Sequence, residues 1–224
     1  MSKNAKGVLG QQVGKVGPVV ARKFRNLDVY SAYQPNVKNP RTSKQQLNRL
    51  RFATISRLAH GFGCAVRLGF GAAVRGTKES MRNRFTKLNV HYVEAVGNDS
   101  VDIDYTGFVV AQGGLCPVHF NSPLFDTPNS VMVNFDEMNA NACQKTANDK
   151  VYVVVYSADA NLAVVGEGVE RSEKSVMVQV PSNWNGTKVQ VYGFVRNDGE
   201  ANTEFDIAAG ECSDSQYIGS GTIG

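Results

Sequence analysis

Acidic residues are almost missing from the first ninety positions of this 224-residue chain, where Asp28 and Glu79 stand alone. Other features are missing too. No run approaches the roughly 18 apolar residues of a membrane helix, and mean hydropathy is −0.25. The start, Met1-Ser2-Lys3-Asn4-Ala5-Lys6-Gly7, leads into no long apolar core, so no secretory signal is expected. Without export, Asn98-Asp99-Ser100 and Asn185-Gly186-Thr187 lose force as glycosylation sites. Cysteine is sparse and scattered: Cys64, Cys116, Cys143 and Cys212 form no C-x-x-C pair, and buried thiols are expected rather than disulfides. The near pairs His60/Cys64 and Cys116/His119 lack the second pair that a zinc site needs.

Recognisable catalytic chemistry is also scarce. Gly10-Gln11-Gln12-Val13-Gly14-Lys15-Val16-Gly17 has three residues between its first glycines where a phosphate loop needs four, and Val16 follows Lys15 where Ser or Thr should stand. These glycines read as turns and close backbone packing. There is no nucleophile elbow, and no histidine has a partner by motif. Asp102 and Asp104 share one face of a predicted strand, which reads as the solvated side of a half-buried sheet. No catalytic residue, metal or cofactor is therefore expected.

What is present is a charge split. Residues 1–90 carry 18 Lys or Arg against 2 acids, a net of +16; residues 91–224 carry 6 against 18, a net of −12. Unopposed charge of that density repels itself unless something anionic is near. The acidic half of the same or a neighbouring chain is the simplest counterpart, and nucleic acid the next. Arginine outnumbers lysine, which suits bidentate contact with carboxylate or phosphate. The cations expected to bind a partner are Lys15, Arg22, Lys23, Arg25, Arg41, Arg49, Arg51, Arg57, Arg82 and Arg84.

The periodicity changes along with the charge. Residues 1–40 have no helical period; Val8-Leu9, Val19-Val20-Ala21 and Asn26-Leu27-Asp28-Val29-Tyr30 read as extended pieces, with a turn around Arg25-Asn26. Such an arm has little core of its own. Asn39-Pro40-Arg41-Thr42-Ser43 stops it and starts a helix capped by Thr42 or Ser43, with Leu47, Leu50, Thr54 and Leu58 on one stripe. Gly61-Phe62-Gly63 ends that helix. Residues 64–74 read either as a second, tightly packed helix or as a loop. Thr77 is the candidate cap of a further helix bearing Met81, Phe85 and Leu88. From residue 91 the period is two, with strands expected near 101–105, 131–136, 151–156, 161–166, 175–180, 188–195, 203–208 and 216–222.

This pattern predicts an α+β chain: an extended basic arm or β-hairpin over 1–40, a basic helical hairpin over 41–90, and an acidic antiparallel immunoglobulin-like β-sandwich over 91–224.

Two stretches are familiar. Gly14-Lys15-Val16-Gly17-Pro18-Val19-Val20 and Asn39-Pro40-Arg41-Thr42 with Gln45, Arg49 and Phe52 resemble the motifs G-K-V-G-x-V-V and N-P-x-T-x-x-Q-x-x-x-R-x-x-F. They belong to an uncharacterised family abundant in Bacteroidales genomes and their phages. Phe24 stands where that family commonly has a tryptophan. The resemblance implies a C-terminal β-sandwich but no known activity. Similar motifs in phage structural proteins imply a virion component (capsid-associated, connector or tail), made in the bacterial cytoplasm. The expected function is thus non-enzymatic assembly, with protein subunits as partners, including copies of the same chain, and no membrane span or small-molecule substrate. Nucleic-acid binding by residues 1–90 is the rival, and a hydrolase with paired carboxylates in the C-terminal half the second.

Overall fold

A computed structural model describes residues 3–4, 12–24, 27–36, 40–96, 100–137, 148–199 and 209–224. In chain order the described elements are β1 (Lys3–Asn4), β2 (Gln12–Val16), β3 (Val19–Phe24), β4 (Leu27–Ala32), α1 (Ser43–Gly61), α2 (Gly63–Gly69), α3 (Met81–Asn89), β5 (Val93–Val96), β6 (Ser100–Ile103) and β7 (Val118–Phe120). They continue with β8 (Ser130–Glu137), β9 (Asp149–Ser157), β10 (Leu162–Val165), β11 (Val169–Glu170), β12 (Ser175–Gln179), β13 (Lys188–Asn197) and β14 (Gln216–Thr222). The α+β class and the antiparallel, sandwich-like arrangement expected from the periodicity are present. Two compact units divide the chain, residues 1–42 and residues 43–224.

The first unit is a four-stranded antiparallel sheet in the order β1-β2-β3-β4. Its β2–β3 turn is Gly17-Pro18. Gly17 sits at φ 58°, where a side chain would be strained, and Val16 faces Val19 across it. The turn expected at Arg25-Asn26 lies outside the described residues; the register beside it pairs Phe24 with Leu27. No helix follows Lys15, so the glycines here serve strand and turn.

The second unit is layered about one sheet, in the order β10-β9-β13-β14 with β11 also on β9. Strand β9 is buried almost throughout because its apolar residues do not alternate. Val151, Val153 and Val155 face one core, while Val154 and Tyr156 face another. The neighbouring β13 splits in the same way: Val189, Val191 and Val195 join the first core, Tyr192 and Phe194 the second. The first core lies against the β12-β8-β7 sheet, whose Val131, Val133, Phe135, Val176 and Val178 close the sandwich. Gly193 is needed there, since a Cβ would come 2.4 Å from the Phe120 ring.

The second core is the helical layer. Ile55, Leu58 and Ala59 of α1, Ala65 and Val66 of α2, and Phe85 of α3 pack on the central sheet with Phe62 and Phe70. Phe62 stacks on Tyr156 with ring centroids 4.1 Å apart and lies 5.6 Å from Phe85. The small residues of 61–73 allow this closeness: a Cβ on Gly69 would meet the Val110 carbonyl at 2.3 Å. The stretch read as helix or loop is thus α2 followed by turns. Thr77 does not cap α3. Its hydroxyl donates to the Val74 carbonyl (2.8 Å) and accepts from the Glu79 amide (3.3 Å), so the cap is Ser80, which accepts from the Asn83 amide at 3.1 Å. The strand expected near 203–208 lies outside the described residues.

Candidate functional site

Residues directly opposite each other in an antiparallel pair share a face. In the first unit the registers Lys15↔Val20, Val20↔Ser31, Arg22↔Val29 and Phe24↔Leu27 put Val13, Lys15, Val20, Arg22, Phe24, Leu27 and Val29 on one face. Tyr33 continues that face: the Lys15 ammonium lies 3.5 Å from its ring centroid. Among the described side chains of this face there are two cations, Lys15 and Arg22, and no acid. Phe24 is 50% exposed, Val13 49% and Tyr33 43%. On the other face Val16, Val19 and Tyr30 are exposed as well, and Lys23 sits opposite Asp28. Among the described residues of this unit only Ala21 is fully buried.

The cations expected to bind a partner separate into three groups. Lys15, Arg22 and Lys23 are exposed on the sheet just described, and Arg41 is exposed beyond it. Arg49, Arg57 and Arg82 are exposed on α1 and α3. Arg51 and Arg84 are used internally. Arg51 donates from Nε to the Val93 carbonyl (2.8 Å) and from Nη2 to Val90 (3.1 Å), fixing α1 to the start of β5. Arg84 donates to Gln112 Oε1 (3.0 Å) and pairs with Glu79 (3.3 Å). Arg25 lies outside the described residues.

Negative charge has its own concentration. On the β5–β6 hairpin Glu94 stands directly opposite Asp102, both exposed. Like charges so placed repel and are relieved by an approaching cation. Asp104 is not the continuation of that strand. It caps a 3₁₀ turn, accepting from the amide (3.0 Å) and hydroxyl (2.5 Å) of Thr106, and these bonds hold its carboxyl below the usual carboxylate range.

Cys116 and Cys212 are buried thiols, but Cys64 is exposed on α2, against the expectation of burial. Its position on α2 points it away from the core face that carries Ala65 and Val66. Burial pushes the Cys212 thiol up to about 12, and its Sγ lies 3.3 Å from the Leu68 carbonyl. Cys143 lies outside the described residues. Among the described residues no group of three or more His, Cys, Asp or Glu could hold a metal ion. No helix among them is long and apolar enough to cross a membrane.

Three arrangements escaped the sequence. Arg171 and Asp149 form a buried ion pair (Nη2–Oδ2 3.0 Å), and the same Nη2 donates to the Cys116 carbonyl at 2.6 Å. Asn89, fully buried, donates to the Phe85 and Val109 carbonyls and accepts from the Val109 amide. Finally, a cleft of about 490 Å³ lies between α1, α2 and α3, lined in part by His60, Cys64, Arg67 and Arg82. The spacing of His60 and Cys64 was its only sequence signal.

No curated protein matches the chain. A family profile described as a family of unknown function matches residues 10–206, nearly the whole length, and the chain accordingly belongs to the DUF6266 family.

Proposed function

We propose that this protein is a non-enzymatic structural subunit of a large assembly, a phage virion component that holds neighbouring subunits through its basic N-terminal sheet. The observation that carries this reading is the two-faced sheet of residues 12–33, rich in exposed Val, Phe, Leu and Tyr and flanked by Lys15 and Arg22. A sheet with one buried described residue gains little from its own packing, and its exposed apolar surface calls for a partner. Cations beside aliphatic side chains favour a surface that is both acidic and apolar. The exposed Glu94/Asp102 face supports a second copy as one such partner.

Deleting residues 1–42 tests this. Co-sedimentation with assembled particles should be lost, while circular dichroism of the remaining chain stays folded. Normal incorporation of the truncated chain would refute the proposal.

Nucleic acid is the rival partner, favoured by the rings of Phe24 and Tyr33 on the same face as Lys15 and Arg22. Val13, Leu27 and Val29 between them speak for protein, since aliphatic side chains gain nothing from phosphates. Gel shifts of the full chain separate the two. A nucleic-acid complex would weaken steeply as salt rises, and absence of any shift at about 50 mM salt removes this reading.

A further inference from the structure

The cleft between the three helices is the least explained feature of the second unit. Arg67 of α2 and Arg82 of α3 both line it, along with His60 from the end of α1. Arg82 Nη2 lies 3.4 Å from His60 Nδ1, a contact in which the ring nitrogen must accept. Among the described residues neither arginine meets a carboxylate. Glu79, the nearest acid in sequence, is already paired with Arg84 at 3.3 Å. Two guanidinium groups and a histidine therefore border one hollow without a counter-charge. The lining also includes apolar Val66, Met81 and Leu162, with Leu162 45% exposed. The volume falls within the roughly 300–1,000 Å³ of small-ligand sites.

We propose that this cleft binds a small amphipathic anion, a carboxylate or phosphate group carried on an apolar body. Arg67 and Arg82 clamp the oxyanion, since the planar guanidinium matches both headgroups. Val66, Met81 and Leu162 take the body. No reaction is involved; the ligand is an occupant of the helical layer. The site does not depend on the assembly role of the N-terminal sheet, because every lining residue belongs to the 43–224 unit.

The exposed thiol of Cys64 supplies the readout, since it lines the same cleft. The full-length protein is titrated by calorimetry with phenyl phosphate, phenylacetate, inorganic phosphate and benzyl alcohol. Alkylation of Cys64 by iodoacetamide is followed in parallel by peptide mass spectrometry. At least one aromatic anion should bind near the millimolar range and slow Cys64 alkylation about threefold or more, and the tighter of the two identifies the headgroup. The double variant Arg67→Gln/Arg82→Gln should weaken that binding about tenfold. Gly63→Leu is a second, charge-neutral test: a Cβ at Gly63 meets nothing within 4 Å, so the added side chain enters the cleft without disturbing the core and should block the ligand. Benzyl alcohol binding as tightly as the anions, inorganic phosphate binding as tightly as phenyl phosphate, unchanged binding in the double variant, or no protection of Cys64 at about 10 mM anion would each overturn the proposal.

Discussion

The sheet of residues 12–32 and the central sheet built on β9 and β13 are made of the same material. Both are antiparallel and rich in valine. In the central sheet the valines of β9 are buried on two faces at once, by the sandwich on one side and the helical layer on the other. In the N-terminal sheet the same residue type is left in water: Val13, Val16 and Val19 are 49%, 40% and 37% exposed. Strand formation is local, set by β-branched residues and tight turns, whereas burial depends on what covers the strand. Charge follows the same line. Residues 1–42 carry 8 Lys or Arg against 1 acid, while residues 43–224 carry 16 against 19. A core can stabilise the second unit by itself; the described residues of the first leave most of their apolar surface exposed.

The sharpest way to break this comparison is to remove what covers the central sheet. Phe62→Ala deletes the ring stacked on Tyr156 and tilted against Phe85, leaving a cavity that the surrounding aromatic layer cannot fill. It should cost about 3–5 kcal/mol in urea unfolding. A loss below about 1 kcal/mol would mean that the helical layer is not a true second core. Arg171→Met is expected to cost about 3 kcal/mol, because the Asp149 carboxylate, fully buried, loses its cation. Adding Asp149→Asn to it should recover part of that loss, and a strictly additive double variant would show that the two groups are not coupled.

Next in size comes alkaline pH, which acts on the second unit through its buried protons. Burial raises Cys212 from 9.0 to about 12, and raises Tyr152, helped by its bond to Asp198, from 10.0 to about 12. Tyr156 and Tyr192 are raised too, with burial the leading cause in each. From about pH 9 the unfolded chain loses protons that the folded chain retains, so stability falls between about pH 9 and 12, at up to about 1.4 kcal/mol per pH unit for the buried Cys212 and Tyr192 and by much less for Tyr152, which solvent screens. Below pH 9 this contribution is constant. Urea midpoints measured across that window should fall less steeply in Cys212→Ala, and in Tyr192→Phe above pH 10. Parallel slopes for variants and parent would contradict the assignment of these groups.

How much of this the sequence discloses depends on the range of the interaction. Strands β8, β9, β12 and β13 are legible because valine alternation or a continuous apolar run fixes both strand and face. Helix α1 is legible from Pro40 to Gly61 because its stop and start signals are local. Thr77 misleads as a cap because its hydroxyl closes its own turn with Val74, a choice among local hydrogen bonds that spacing cannot rank. Trp184 sits in what reads as a plain Asn-Trp-Asn-Gly turn, yet it is buried in the sandwich core, since a 3₁₀ turn carries it inward. Arg51 and Arg84 look like the other cations in sequence; only the carbonyls, Gln112 and Glu79 around them make them structural. The cleft of Arg67 and Arg82 is invisible for the same reason, as three helices must pack before its walls exist.

The smallest effect on stability is expected where the proposed function is largest. Phe24 and Leu27 face each other across β3 and β4, 50% and 40% exposed, so the pair Phe24→Ser/Leu27→Ser removes contacts that the chain hardly makes with itself. The urea midpoint of the 43–224 unit should move by no more than about 0.5 kcal/mol, as for surface positions generally. Association should respond very differently. On the proposed function the parent forms higher-order species in sedimentation over a concentration series; the variant should lose them, and charge reversal by Lys15→Glu/Arg22→Glu should do the same more strongly at low salt. If the serine pair instead unfolds the protein, Phe24 and Leu27 belong to an internal core, and the contrast between the two sheets fails. If it leaves both stability and association unchanged, the exposed face is not the docking surface, and the search moves to the exposed arginines of α1 and α3.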